Sequence, residues 1–107
     1  MSVTSLAKSN ITAINTVGLS PMPVIDANPT REGITFHNPG QSAVVVFPQF
    51  VLVNGQSVPL LPSSSALGGG FLLSYGAVLF LGGNAAKLAW QALALTGSNN
   101  PLTIEEQ

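Results

Sequence analysis

Turn-forming residues recur about every eight to twelve residues along most of this sequence, with short apolar runs between them. The turn segments are Asn38-Pro39-Gly40-Gln41, Asn54-Gly55, and residues 62–70, 74–76, 82–84 and 96–101. Such spacing is typical of β-sandwiches and barrels. The sequence therefore predicts an all-β fold, either an antiparallel β-sandwich or a jelly-roll-like barrel of about seven or eight short strands.

Two hairpins are the clearest local features. Residues 33–37 alternate apolar and polar side chains, the period of a half-buried strand, and the β-branched run at residues 43–47 is the expected return strand. Asn54-Gly55 is a strong hairpin signal between residues 50–53 and 57–61, because a type I′ turn needs positive φ at both positions. Further strands are expected at residues 71–73, 77–81 and 102–106.

Residues 85–95 are the one ambiguous segment. They are rich in Ala and Leu, with Lys87 and Gln91, and these are good helix formers. In a strand, alternate residues of this segment would lie on opposite faces, and neither of those two faces is cleanly polar. The turns on both sides favour a strand, and a helix is the alternative.

The first thirty residues differ from the rest. They are polar and rich in Ser, Thr and Asn, with small apolar residues at irregular spacing. We expect a partly flexible N-terminal arm at residues 1–30, with short strands at residues 12–17 and 24–26, and a β-sandwich core at residues 31–107. We expect one domain.

Charged side chains are scarce. The 107 residues include three Lys or Arg and four Asp or Glu, so the net charge is −1, and charged residues make up 7% of the chain. A nucleic-acid partner is not expected, because no basic face is available to neutralise phosphates. A membrane-spanning helix is not expected either, because no run of about 20 apolar residues is uninterrupted.

The low charge instead indicates association. No formally charged residue lies between Glu32 and Lys87. A surface near zero net charge promotes association. We therefore expect a homo-oligomer, a trimer first and a dimer second, or binding to a larger partner. The hairpins between residues 35 and 86 are expected to supply the contact surface.

The sequence offers few residues for catalysis. Glu105 and Glu106 are adjacent on a predicted strand and so point to opposite faces. His37 is the only histidine, and no nucleophile-elbow pattern surrounds any serine. The run Gly68-Gly69-Gly70 lacks the Lys and Ser or Thr of a phosphate-binding loop. We therefore expect no enzyme activity and no catalytic, cofactor or metal-binding residues. An enzyme would need a pocket that gathers His37 with carboxylates.

The candidate residues are structural or interfacial. Arg31 is the only arginine, and its guanidinium is suited to binding carbonyl groups or a C-terminal carboxylate, with a structural role favoured. Tyr75, Phe80 and Trp90 are able to stack on a sugar, although core or interface positions are favoured for them. The candidates for structural or interface roles are Arg31, Phe36, Phe47, Phe50, Phe71, Tyr75, Phe80 and Trp90.

One segment carries a family resemblance. Arg31, Ile34-Thr35-Phe36 and Asn38, followed by Val44-Val45-Val46, resemble the Arg-x-x-hydrophobic-x-hydrophobic-x-Asn opening of many small bacteriophage virion proteins. The resemblance implies a β-sandwich or jelly-roll-like module without catalytic residues, often oligomeric and located in the virion. Its implied role is a capsid decoration (cement) protein or a head–tail or fibre component, whose partners are the major capsid protein or other virion proteins. The alternative is a receptor- or glycan-binding module of a phage tail or fibre.

Overall fold

The computed structural model describes residues 10–107 and shows a chain built almost entirely of antiparallel strands. One short helix, α1, spans Gly83–Ala86. The ten strands are β1 (Asn10–Val17), β2 (Met22–Ile25), β3 (Gly33–His37), β4 (Val44–Pro48), β5 (Phe50–Val53), β6 (Gln56–Pro59), β7 (Phe71–Leu73), β8 (Val78–Gly82), β9 (Trp90–Ala94) and β10 (Asn100–Glu106).

Eight of these strands form two four-stranded sheets. Sheet I has the order β1-β10-β3-β8, and sheet II has the order β2-β9-β4-β7. Strands 1 to 4 alternate between the sheets, and so do strands 7 to 10, which is the connectivity of a jelly roll. The predicted fold class is therefore confirmed. The remaining two strands, β5 and β6, pair with each other and, within residues 10–107, with no other strand, so they form a hairpin outside both sheets.

Residues 10–30 belong to the sheets. β1 pairs with β10, and β2 pairs with β9, so each sheet contains one strand from this region. Val17 is fully buried and Val24 is nearly so. The predicted boundary after residue 30 thus does not separate an arm from the core within the described residues; residues 1–9 of the predicted arm lie outside them. Register shifts in β1 and β2 explain the irregular apolar spacing that suggested an arm.

The ambiguous segment at residues 85–95 contains a strand. β9 is a central strand of sheet II, and all five of its residues are buried. A strand that is covered on both faces has no polar face, which is why the period-two pattern was unclear. The helix-forming residues at the start of the segment complete the single helical turn of α1.

The main core lies between the two sheets. Phe36 from sheet I and Trp90 from sheet II meet there edge to face, with ring centroids 5.3 Å apart. A second, smaller cluster of Val45, Phe47 and Leu93 lies on the other side of sheet II, and Leu60 and Leu95 pack against it. Within residues 10–107, no helix is long and apolar enough to cross a membrane.

Candidate functional site

Arg31 is buried at one end of the sandwich and bonds to three separate segments of the chain. Its Nε donates to Glu106 Oε1 at 2.9 Å, which is also an ion pair. Its two terminal nitrogens donate to the carbonyl oxygens of Ala86 and Asp26 at 2.7 Å and of Leu88 at 3.1 Å. The guanidinium therefore binds carbonyl groups, which is one of the two kinds of partner predicted for it from the sequence. Its carboxylate partner is the Glu106 side chain rather than a C-terminal carboxylate.

The titratable groups do not form a recognisable reaction centre. In the part of the chain that the structure describes, no three His, Cys, Asp or Glu side chains lie close enough to hold a metal ion. His37 lies on β3 beside Thr103 and Val78, and no ion pair joins it to a carboxylate within the described residues.

Three of the aromatic candidates are core residues. Phe36, Phe47 and Trp90 are buried on strands that are central in their sheets, so of the structural and interface roles considered for them the structure shows a structural one. The Trp90 indole N–H donates to the carbonyl oxygen of Ala85 at 3.1 Å, which satisfies its polar atom inside the protein. Trp90 therefore offers no face on which a sugar can stack.

The other four aromatic candidates are exposed. Phe50 lies on the β5–β6 hairpin, Tyr75 lies in the turn between β7 and β8, and Phe71 and Phe80 lie on those two strands. Exposed aliphatic residues that were not singled out from the sequence lie in the same places: Leu52, Val53, Val58, Leu61, Leu72 and Val78. All of them lie between Glu32 and Lys87, where the sequence has no charged residue. The absence of charge over this stretch is the sequence feature that indicates these exposed residues.

The β5–β6 hairpin is apolar on both faces. Its register places Val51 opposite Val58 on one face, and Phe50 opposite Pro59 on the other. Leu52, which shares the second face, leaves 76% of its surface exposed. Asn54 and Gly55 form the turn with φ of 52° and 79°, as the sequence predicted for a type I′ turn.

Two amide side chains hold the base of this hairpin. The Gln91 side chain donates to the carbonyl oxygens of Pro48 and Leu60, which lie on the two sides of the base. The Gln49 side chain donates to the carbonyl oxygen of Trp90 at 2.9 Å. Because these bonds tie the base to the buried strand β9, the hairpin has a defined position relative to sheet II.

An apolar groove of about 460 Å³ lies between the hairpin and the body of the protein. It is lined by Pro48, Phe50, Val51, Leu52, Ser57 and Leu88. We call the exposed apolar side chains of the hairpin, together with this groove, the hairpin surface. It has no formal charge and no titratable group. Such a surface is suited to binding another protein by apolar contact.

The fold and this surface define a small jelly-roll protein with an exposed apolar hairpin. No protein-family model matches the sequence, and a comparison with curated proteins gives no match. A chain of the disulfide-linked pili that form Bacillus endospore appendages is 12% identical with a TM-score of 0.47, and the match covers 91% of this chain and 84% of that one.

Two further structures resemble this chain at a similar level. A de novo designed double-stranded β-helix is 12% identical with a TM-score of 0.44, and the match covers 94% of this chain and 96% of the design. A dTDP-4-dehydrorhamnose 3,5-epimerase from Bacillus anthracis is 11% identical with a TM-score of 0.44, and the match covers 97% of this chain and 57% of the enzyme. These similarities are too low to assign an activity or a partner.

Proposed function

We propose that this chain is a virion structural protein that binds a capsid lattice through the hairpin surface, as a decoration protein. The observation that carries the proposal is the β5–β6 hairpin, which pairs with neither sheet and exposes apolar side chains on both faces. A two-stranded hairpin alone is only marginally stable in water. A partner surface that covers Leu52 and fills the groove beside Leu88 removes that apolar area from water.

Lattice binding follows from many weak contacts. A hairpin buries a modest area, and copies bound at neighbouring positions of a capsid add their contributions through avidity. Each copy that bridges two capsid subunits opposes their separation under the outward force of packaged DNA. The absence of charge on the hairpin surface favours this contact, since a buried charge must be desolvated and paired.

The geometry favours this role over the glycan-binding alternative. Of the three side chains considered for stacking on a sugar, Trp90 is buried and Phe80 lies on an edge strand. Tyr75 is exposed, but Leu72 and Val78 flank its turn on the neighbouring strands. A sugar site needs polar groups that bond to hydroxyls beside its aromatic platform. In this turn the N–H groups of Gly76 and Ala77 are already bonded to the carbonyl oxygens of Asn38 and Ser74.

The proposal is tested by capsid binding with a matched pair of leucine variants. Leu52→Lys places a charge on the hairpin, whereas Leu19→Lys places one on the exposed turn between β1 and β2. We expect Leu52→Lys to weaken co-sedimentation with capsids of the phage that encodes the chain by at least about tenfold. We expect Leu19→Lys to bind like the wild type.

Both variants should retain the emission of the buried Trp90, which reports on folding. The proposal is wrong if the wild-type protein does not bind those capsids. It is also wrong if Leu52→Lys binds them as tightly as Leu19→Lys does.

A further inference from the structure

The four edge strands of the two sheets differ in how they are protected from pairing with another chain. β1 is interrupted by a register shift and carries polar side chains, and β2 contains Pro23 and a second register shift. β7 has three residues. Bulges, prolines and short length are the devices that block edge-to-edge pairing. β8 has none of them: its five residues, Val-Leu-Phe-Leu-Gly, pair with β3 in an unbroken register.

The free backbone groups of β8 follow from the hydrogen bonds of its neighbours. Gly33 bonds in both directions with Gln107, on the side of β3 away from β8, whereas the Asn38 N–H donates to Ala77 on the β8 side. Hydrogen-bonded and non-hydrogen-bonded pairs alternate along an antiparallel ladder. Leu79 and Leu81 therefore bond to β3. The N–H and C=O groups of Val78 and Phe80 and the N–H of Gly82 point outward along an edge that pairs with no other strand of residues 10–107. The Gly82 C=O, at the N-cap of α1, accepts instead from the first turn of that helix.

The outer face of this edge is apolar and already ordered. Val78 and Phe80 leave 64% and 59% of their surfaces exposed. The Phe80 ring lies over Gly33, where an added Cβ would be only 2.9 Å from Phe80 Cε1. A ring that is held by its own sheet loses little side-chain entropy when a partner covers it.

We propose that two copies of this chain pair through β8, antiparallel and around a two-fold axis, and so join their copies of sheet I into one continuous sheet. The axis passes between Phe80 of one copy and Phe80 of the other, which places Val78 opposite Gly82 of the other copy. This register uses the outward-pointing groups of Val78 and Phe80 and the Gly82 N–H, and it predicts about four interchain hydrogen bonds.

A second copy is the occupant that this strand fits. A two-fold axis requires a surface that is complementary to itself. In this register the bulky Phe80 meets its own equivalent in a cross-strand aromatic pair, while the side chain of Val78 meets a glycine. No charge on β8 is placed opposite its own copy, because the segment between Glu32 and Lys87 has none.

This inference goes beyond the proposed capsid role and does not depend on it. The hairpin surface and the β8 edge consist of different strands, so the two can be disrupted separately. Leu52→Lys is expected to lose capsid binding and remain dimeric. Substitutions at Phe80 are expected to dissociate the dimer in the absence of any capsid.

The test is sedimentation equilibrium of the purified full chain at micromolar concentration. We expect the wild type to have twice the 11.0 kDa mass of the chain. Phe80→Lys should raise the dimer Kd by at least about tenfold, because like charges then stand directly opposite each other. Ile11→Lys is the matched control: Ile11 is 71% exposed and lies in the same cross-strand row at the opposite edge of sheet I. It should leave the Kd unchanged.

A mixing experiment tests the register itself. Phe80→Lys and Phe80→Glu should each be monomeric alone, and an equimolar mixture should form a heterodimer because opposite charges then face each other across the axis. Val78→Pro is a second variant that should disrupt the dimer. It removes an N–H that points toward the other copy, and it leaves the hydrogen bonds between β8 and β3 intact. Retained Trp90 emission identifies folded variants.

The inference is overturned by a wild type that is monomeric or trimeric. It is equally overturned if Phe80→Lys and Val78→Pro remain dimeric. A mixture of the lysine and glutamate variants that stays monomeric would overturn the register around Phe80.

Discussion

Arg31 shows how one side chain connects distant parts of this fold. Its four hydrogen bonds reach Asp26 before it in the chain, Ala86 at the end of α1, Leu88 just after that helix, and Glu106 at the end of β10. These segments lie at one end of the sandwich, where no strand pairing joins them. The guanidinium is nearly fully buried, and the ion pair with Glu106 compensates its charge. Arg31 therefore stabilises the fold.

We predict that Arg31→Met lowers the free energy of unfolding by about 3–5 kcal/mol, because buried carbonyl groups and Glu106 then lose their partner. Glu106→Gln is the control. It keeps an acceptor for Nε and should cost only about 1–2 kcal/mol. Urea unfolding followed by Trp90 emission measures both changes. An equal loss for both variants would mean that the ion pair, rather than the carbonyl bonds, dominates this site.

At the scale of elements, the segment between β6 and β7 forms a cover for sheet II. The sequence predicted a loop at residues 62–70, and the structure shows that its ends pack on the sheet. Leu60 packs against the cluster of Val45, Phe47 and Leu93. At Gly70 the backbone comes so close that an added Cβ would lie 2.4 Å from Phe47 Cε2. The last residue of the glycine run, Gly70, therefore has no side chain because the backbone there packs directly against core side chains of the same chain.

We predict that Gly70→Ala lowers the free energy of unfolding by about 1–3 kcal/mol, since the added methyl group overlaps two buried side chains. Gly68→Ala is the matched control in the same run, because no atom lies within 4 Å of its added Cβ. It should change stability by less than about 0.5 kcal/mol. Thermal or urea unfolding of the two variants makes the comparison. Equal stability of the two variants would contradict the close packing at Gly70.

At the scale of the whole molecule, the distribution of charge separates stability from association. The one ion pair among the described residues, Arg31 with Glu106, lies at the end of the sandwich. The β8 edge and, apart from Leu88, the hairpin surface lie in the stretch without charged residues. The proposed contacts with a capsid and with a second copy are thus apolar and backbone contacts. Contacts of this kind respond little to ionic strength.

We predict that a tenfold rise in NaCl concentration, from about 50 mM, changes the Kd of the wild-type dimer by less than about threefold. The heterodimer of Phe80→Lys with Phe80→Glu is the internal control. Its opposed charges should be screened, so its Kd should rise with salt. Sedimentation equilibrium at both salt concentrations measures the two dimers. A wild-type dimer that weakens as steeply as the heterodimer would contradict an uncharged interface.

Local sequence signals predicted the features that depend on neighbouring residues. Asn54-Gly55 predicted its turn because positive φ is a property of the residues themselves. The alternation at residues 33–37 predicted β3, and the regular turn spacing predicted an all-β fold. The predicted hairpin between residues 33–37 and 43–47 is wrong, because β3 and β4 lie in different sheets and strand pairing depends on distant parts of the chain. The short strands at residues 10–30 were less clear, because the register shifts in β1 and β2 break the period that identifies a strand.

Tertiary structure alone decided which apolar residues are buried and which stay exposed. Phe36 and Phe80 both lie on regular strands, yet Phe36 is fully buried and Phe80 is mostly exposed. The difference arises because β3 turns Phe36 toward sheet II, whereas β8 turns Phe80 toward the outside of sheet I. Burial depends on the order of strands and on what covers each face. Strand order and the coverage of each sheet face depend on residues that are distant in the sequence, so they cannot be predicted from a residue's immediate neighbours.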